Sequence, residues 1–277
     1  AKLKNIKYPM AGMKSHHVTV GLYNPATQNT VYLKTGTPKE KYLTNIAWSP
    51  DEKIIHIAEV NRGQDTCMLK SYDAVTGNLQ HTLFTETHPK YIEPQTPVLF
   101  LKNDPSKFIW ESRRDGYNHL YLYDITGKEL GQLTKGDWDI LSVIGFDEKG
   151  ENLYYLSAEA SPIEKHIYML NMKSGKKTQL SKEAGVHSAM LSASGKYISD
   201  RYTSQHNAGR VAITETKGNK SYIFYTAKDP YKNVTLPEIT LGSIKANDGK
   251  ADLYYRMVKP SDIDATKKYP VIVYVYG

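Results

Sequence analysis

An all-β fold made of repeated four-stranded sheets is what this sequence predicts, and three observations carry the prediction. A strand running into a turn that opens on Asn or Asp recurs four times, at Asn24, Asp73, Asp124 and Asn171, in steps of 49, 51 and 47 residues. Between these landmarks comes a second polar turn, at Trp48-Ser-Pro-Asp-Glu-Lys53, Leu101-Lys-Asn-Asp-Pro-Ser-Lys107, Phe146-Asp-Glu-Lys-Gly150 and Leu191-Ser-Ala-Ser-Gly-Lys196. The runs around both turns alternate or are β-branched and aromatic, and no long 3.6-period stretch competes with them.

The elements follow in order. In the first full period, strands are expected at 44–48, 54–60, 68–72 and 79–84, with equivalent sets near 98–133, 140–180 and 186–224. Four short antiparallel strands per period of roughly 45–50 residues describe a β-propeller blade. The Asx and Gly positions have a local reason, because they supply side-chain-to-backbone bonds or the positive φ that hairpin turns require. Residues 17–33 hold only two strands, so the chain enters in mid-blade and carries about four and a half blades of a partial propeller. After residue 230 the period stops. Two runs at 235–245 and 251–258 flank Asn247-Asp248-Gly249, a hairpin signal, and the apolar run ending at Gly277 reads as a strand buried on both faces of a largely parallel sheet. The expected division is therefore blades over 1–232 and the start of an α/β domain over 233–277.

Composition narrows the function classes. The chain has 277 residues, 23% of them charged, with 22 Tyr against 5 Phe, a balance suited to sheets with half-wet surfaces. A single cysteine, Cys67, excludes an internal disulfide framework and a thiolate metal cluster. No apolar run is long enough to span a bilayer. The net charge of +7 raises nucleic acid as a partner, but lysines such as Lys173, Lys176 and Lys177 are scattered through turns without interleaved aromatics, which argues against it. His16 and His17 are adjacent on a strand and point to opposite faces, so they cannot share a metal. His56, His81, His119 and His166 fall in strand runs with no carboxylate or second His at chelating spacing, and are read as structural. Glu111, Arg113, Arg114 and Asp115 read as a charged hairpin turn with local ion pairs. No phosphate-cradling glycine motif is present, and neither a metal nor a cofactor is expected.

Three segments carry a resemblance. Lys7-Tyr-Pro-Met-Ala-Gly12, Phe108-Ile-Trp-Glu-Ser-Arg-Arg-Asp-Gly-Tyr-Asn-His-Leu-Tyr-Leu-Tyr-Asp124 and Lys268-Tyr-Pro-Val-Ile-Val-Tyr-Val-Tyr-Gly277 resemble, in this order, the dipeptidyl peptidase IV family of serine peptidases. The resemblance implies the latter part of a propeller followed by the first strands of an α/β-hydrolase domain. It also implies an exopeptidase that releases amino-terminal dipeptides with Pro or Ala second, acting on peptides, homodimeric, and periplasmic or secreted. The Gly-x-Ser-x-Gly nucleophile elbow of such an enzyme does not occur in these residues, so the chain by itself is expected to be inactive and to depend on the rest of its polypeptide.

Two site residues follow from the resemblance. Tyr276 takes the place of the family's tyrosine that donates its hydroxyl to the oxyanion, with Tyr274 as the rival two residues earlier. Glu93, within Tyr91-Ile-Glu-Pro94, occupies the loop where mammalian members carry an aromatic and an arginine facing the substrate. Its carboxylate is expected either to meet a substrate amine or to stand in solvent. The alternative to the peptidase reading is a non-catalytic propeller that serves as a protein-interaction module.

Overall fold

The computed structural model describes residues 3–6, 10, 12–218 and 220–275. Among these residues twenty strands form six antiparallel sheets. Strands β1 (Gly21–Asn24) and β2 (Asn29–Tyr32) pair alone. The first four-stranded sheet runs β3 (Lys41–Trp48), β4 (Ile54–Asn61), β5 (Thr66–Asp73) and β6 (Leu79–Thr87). The second holds β7 (Leu99–Leu101), β8 (Asp104–Ser112), β9 (His119–Asp124) and β10 (Glu129–Gln132). The third holds β11 (Ile140–Phe146), β12 (Asn152–Ser157), β13 (His166–Asn171) and β14 (Lys177–Gln179). The fourth holds β15 (Val186–Leu191), β16 (Tyr197–Ser204), β17 (Asn207–Glu215) and β18 (Ser221–Thr226). A last hairpin joins β19 (Glu238–Lys245) to β20 (Asp252–Lys259). Four sheets of four strands and a two-stranded half reproduce the expected blade count. No helix long and apolar enough to cross a membrane occurs among the described residues.

Each blade is a meander in which every strand pairs with its sequence neighbour, so its register is set locally by the turns. The Asx residues do what the repeat implied. Asp73 Oδ1 accepts from the Thr76 and Val75 amides at 2.7 and 3.1 Å, and Asn171 and Asn24 accept equivalently from Ser174 and Ala26, both at 2.9 Å. The blades then stack through alternation. In β4, Ile55 and Ile57 face the β1–β2 half sheet with Leu33 and Tyr72, while Ala58 and Val60 face the second sheet with Phe108, Trp110 and Tyr123. In β8 the pattern repeats, because Phe108 and Trp110 look back to the first sheet and Ile109 looks forward to Leu153, Tyr155 and Leu170 of the third. A strand buried on both faces is apolar almost continuously, as 54–60 is.

The glycine of the Asx turn also sets blade spacing. Gly127 has φ +91°, and a Cβ there would collide with the Leu83 carbonyl of β6 in the preceding blade. Gly175, the corresponding residue one blade on, has φ +68° but nothing within 4 Å of such a Cβ. The tyrosines fill the seams by stacking, Tyr155 on Tyr168 at 5.6 Å and 12° between planes.

Between the third and fourth blades the seam is polar. His166 and His187, both buried, lie with ring centroids 5.2 Å apart. His166 bonds Ser181 Oγ at 3.0 Å and Glu164 at 2.7 Å; His187 bonds Asp200 at 2.8 Å and the Glu183 carbonyl at 2.9 Å. The reading of His166 as lacking both a carboxylate and a second His is corrected: Glu164 stands only two residues before it in the chain, and His187 is brought by the next blade. Both nitrogens of His187 meet acceptors, which only the imidazolium satisfies fully. Burial opposes that charge, yet Asp200 and the Glu183 carbonyl outweigh it and raise the His187 pKa. The remaining histidines divide. His119 is buried and bonded to Thr134 Oγ1 and the Gly136 carbonyl, His81 is exposed, and His56 is buried with an unpaired Nδ1.

One expectation fails. The segment 271–275 forms no strand, and its side chains are exposed, Ile272 at 95%. A strand exists through its ladder, and no described segment pairs with this one. The carboxyl hairpin is present, with Gly249 at φ +69° in its turn, but its faces are also largely open. Tyr276 and Lys7-Tyr8-Pro9 lie outside the described residues.

Two outcomes follow for the full-length protein. Gly175→Ala is expected to cost about 1 kcal/mol from backbone strain alone, and Gly127→Ala about 1–3 kcal/mol more from the blade collision; urea denaturation distinguishes them, and equal costs would remove the spacing role. His187, with a raised folded-state pKa, contributes stability that is complete below its ordinary 6.5 and fades as pH rises through the folded value. Asp200→Asn should therefore lower Tm most on the acid side, by about 1–3 kcal/mol equivalent, and converge on the parent in alkali. Parallel Tm profiles would mean that His187 stays neutral.

Candidate functional site

The loop over residues 88–98, which links the first blade to the second, and the β8–β9 turn enclose a cleft of about 240 Å³. The loop is held from below. Asn45 sits at φ +52° in a bulge of β3, and its amide donates to the Thr96 carbonyl at 2.7 Å. Glu111, buried at the end of β8, accepts from Thr96 Oγ1 and from Asn118 Nδ2, both at 2.7 Å. At the other end, the His88 and Ile92 amides donate to the Asp65 and Gln64 carbonyls at 2.9 and 2.6 Å. His88 Nδ1 accepts from the Lys90 and Tyr91 amides at 3.2 Å each, making a tight turn that presents Tyr91 and Glu93.

Glu93 lies in this cleft and is exposed. Its backbone carbonyl accepts from Gln95 Nε2 at 3.0 Å, whereas its carboxylate has no bonding partner among the described residues. A carboxylate without an internal partner, at the lip of a concave site, is free to bind a cation from outside. Tyr274 is exposed in the 271–275 segment and not in the cleft. Among the described residues no three His, Cys, Asp or Glu side chains converge as a metal would require.

Arg114 is the electrostatic centre of the cleft, and here the reading of a merely local charged turn is corrected. The guanidinium forms a close ion pair with Glu86 at the end of β6, another with Glu129 of β10 at 2.7 Å, and donates to the Tyr123 hydroxyl at 2.7 Å. It lies 4.2 Å over the Tyr121 ring. Burial works against its charge, but Glu86, Tyr123 and Glu129 together raise its pKa. Burial pushes the Tyr123 phenol up to about 12 against the opposing pull of Arg114, so it remains a neutral hydrogen-bonding group. Arg113 reaches the other way to Asp139 at 3.0 Å, ahead of the third blade. The turn thus fastens three blades. Glu86 was not singled out in the sequence, although it follows Phe84 at strand spacing and shares its aromatic face, accepting from Trp110 Nε1 at 3.2 Å.

Removing the cation should expose that dependence. Arg114→Met leaves Glu86 and Glu129 without their shared partner and is expected to cost about 2 kcal/mol, between the values for exposed and fully buried pairs. Arg114→Lys should recover only part of it, since an ammonium cannot serve two carboxylates and a phenol in one plane. Chemical denaturation of the full-length variants measures both, and an unperturbed Arg114→Met protein would show that the pairs add nothing.

Comparison with known proteins agrees with this architecture. Residues 1–208 match the family model described as the dipeptidyl peptidase IV (DPP IV) N-terminal region. Proteins named dipeptidyl peptidase 4 from Arthroderma otae and Trichophyton rubrum are 26% and 25% identical over 98% of this chain, which spans 36% of each. A crystal structure from Bacteroides ovatus, described as a dipeptidyl aminopeptidase IV, superposes with a TM-score of 0.91 at 42% identity, covering 99% of this chain and 42% of that one. Porphyromonas gingivalis dipeptidyl peptidase 4 superposes at 0.81 with 27% identity, over 95% of this chain and 38% of its own. A repeat that builds four-stranded blades, a charged turn that fastens them and a family match over most of the residues converge: the chain belongs to the dipeptidyl peptidase IV N-terminal region family.

Proposed function

We propose that this chain is the propeller and interdomain portion of a serine exopeptidase that releases amino-terminal dipeptides with Pro or Ala in second place. The observation that carries the reading is the near-complete superposition on the Bacteroides ovatus structure at 42% identity. On this reading residues 1–232 are the blades, and 233–277 begin an α/β-hydrolase domain completed by the rest of the polypeptide. The triad comes from that remainder. The full-length protein is a homodimer, exported to the periplasm or secreted.

The division of labour has a physical basis. A peptide with a free amino terminus brings an ammonium group, and Glu93 offers an exposed, unpaired carboxylate from a loop fixed at both ends. Exclusion by the blades favours short or flexible chain ends. Tyr276 then supplies a preorganised hydroxyl to the oxyanion, a role in which one lost donor costs about 10²–10³ in kcat. A donor of this kind acts on charge that develops only in the transition state, so its loss leaves KM nearly unchanged.

The test uses the full-length protein with an Xaa-Pro p-nitroanilide and its N-acetylated counterpart. Hydrolysis of the free amine and rejection of the blocked one are expected. Tyr276→Phe should lower kcat by about 10²–10³-fold, and Glu93→Gln should act mainly on KM. Unchanged kcat in Tyr276→Phe would bring Tyr274 forward. No hydrolysis of the free substrate would overturn the reading and leave the propeller as an interaction module.

A further inference from the structure

The first and second blades leave between them a cavity of about 720 Å³. It opens among the β3–β4, β7–β8 and β9–β10 turns, whereas the Glu93 cleft is built from the β6–β7 and β8–β9 connections. In an antiparallel meander successive connections alternate ends, so the two openings lie at opposite ends of the blades. The cavity walls are Ile54, Phe100, Pro105 and Ile125.

Ser49, Asp51, Gln80, Ser106 and Thr126 add polar groups from the turns and strand ends, and three further polar residues are arranged in a row. His56 of β4 is the register partner of Ser71 of β5, which is in turn the partner of His81 of β6. Directly opposed residues share a sheet face, and this face is the one turned to the second blade, where His56 meets Phe100 edge-on at 5.3 Å. His56 and Ser71 are each 2% exposed. Neither His56 Nδ1 nor Ser71 Oγ has a hydrogen-bond partner among the described residues. Of the buried polar atoms left in this state, these are the only two that belong to register partners. Buried polar groups are ordinarily bonded, and two neighbours that bond neither each other nor anything else, both lining one cavity, call for a common partner.

We propose that this interblade cavity binds a small uncharged organic molecule with an apolar body and one hydroxyl, which donates to His56 Nδ1 and accepts from Ser71 Oγ. The charge on the ligand follows from the lining. No Lys or Arg contributes to it, and its one carboxylate, Asp51, stands at the rim and accepts from Ser49 Oγ at 2.6 Å. Desolvation lowers the His56 pKa to about 4, so the ring is neutral near pH 7 and can present a lone pair. The body of the ligand fits the apolar walls, and Phe100 suits an aromatic ring.

The probe is 2-naphthol, titrated calorimetrically into the full-length protein, with 2-naphthalenesulfonate as the anionic counterpart of the same shape. Saturable one-to-one binding of 2-naphthol is expected, with the sulfonate at least tenfold weaker. The double variant His56→Leu, Ser71→Ala should bind 2-naphthol at least tenfold more weakly. Ile125→Trp changes a turn residue that is 48% exposed, so it blocks the mouth without disturbing the core and should lose binding while keeping the parent Tm. Absence of saturable binding, equal affinity for the sulfonate, or undiminished affinity in either variant overturns the proposal.

Discussion

Burial of both faces of the middle strands in the first three blades is the constraint on which this structure depends. A four-stranded meander has two apolar faces and cannot hide either by itself, so it is stable only between neighbours. The alternation in β4 and β8 divides each strand's side chains between the blade before and the blade after. Every other feature is fitted to that stacking. Gly127 admits the close approach of the preceding blade, Tyr155 and Tyr168 stack side by side on the face that packs against the second blade, and buried polar groups sit where blades meet. Glu59 illustrates the last point: it is buried at the face toward the half sheet and is matched by Lys41 and Lys70 at 2.8 and 2.9 Å and by the Tyr72 hydroxyl. Its carboxyl is held below the usual range although burial alone would raise it.

The cleft inherits its rigidity from the same stacking. Loop 88–98 has no regular structure, yet it is bonded to β3 through Asn45, to β8 through Glu111 and to the β4–β5 turn through Gln64 and Asp65. Arg114 and Arg113 bind the β8–β9 turn to blades on both sides. The loop is also anchored by Ile92 and Val98, which pack into the core between the first two blades, and with its backbone fixed in this way Tyr91 and Glu93 face outward.

Much of the fold was legible in the sequence because its signals are local. Asp73 to Gly77 specifies a turn with its own atoms, and 54–60 shows by its apolar density that both faces are covered. Contacts between blades were not legible, since Arg114 meets Glu86 across 28 residues and His187 meets His166 across a seam that no periodicity marks. The run 271–275 shows the opposite error. Its composition states a preference for burial in a sheet, while pairing depends on a partner that composition does not contain. Glu93 is proposed from its place in the loop, and the pinning of that loop by the Glu111–Thr96 bond could not be read from spacing.

The lone cysteine gives the stacking an intrinsic reporter. Cys67 is fully buried in the layer between the first two blades, where desolvation and the nearby Glu86 push its thiol up to about 12. It can react only as a thiolate in contact with water, and both conditions are met only when those sheets part. The rate at which a thiol reagent modifies the native protein is then a clock for the opening of one defined seam, read without introducing any label or substitution.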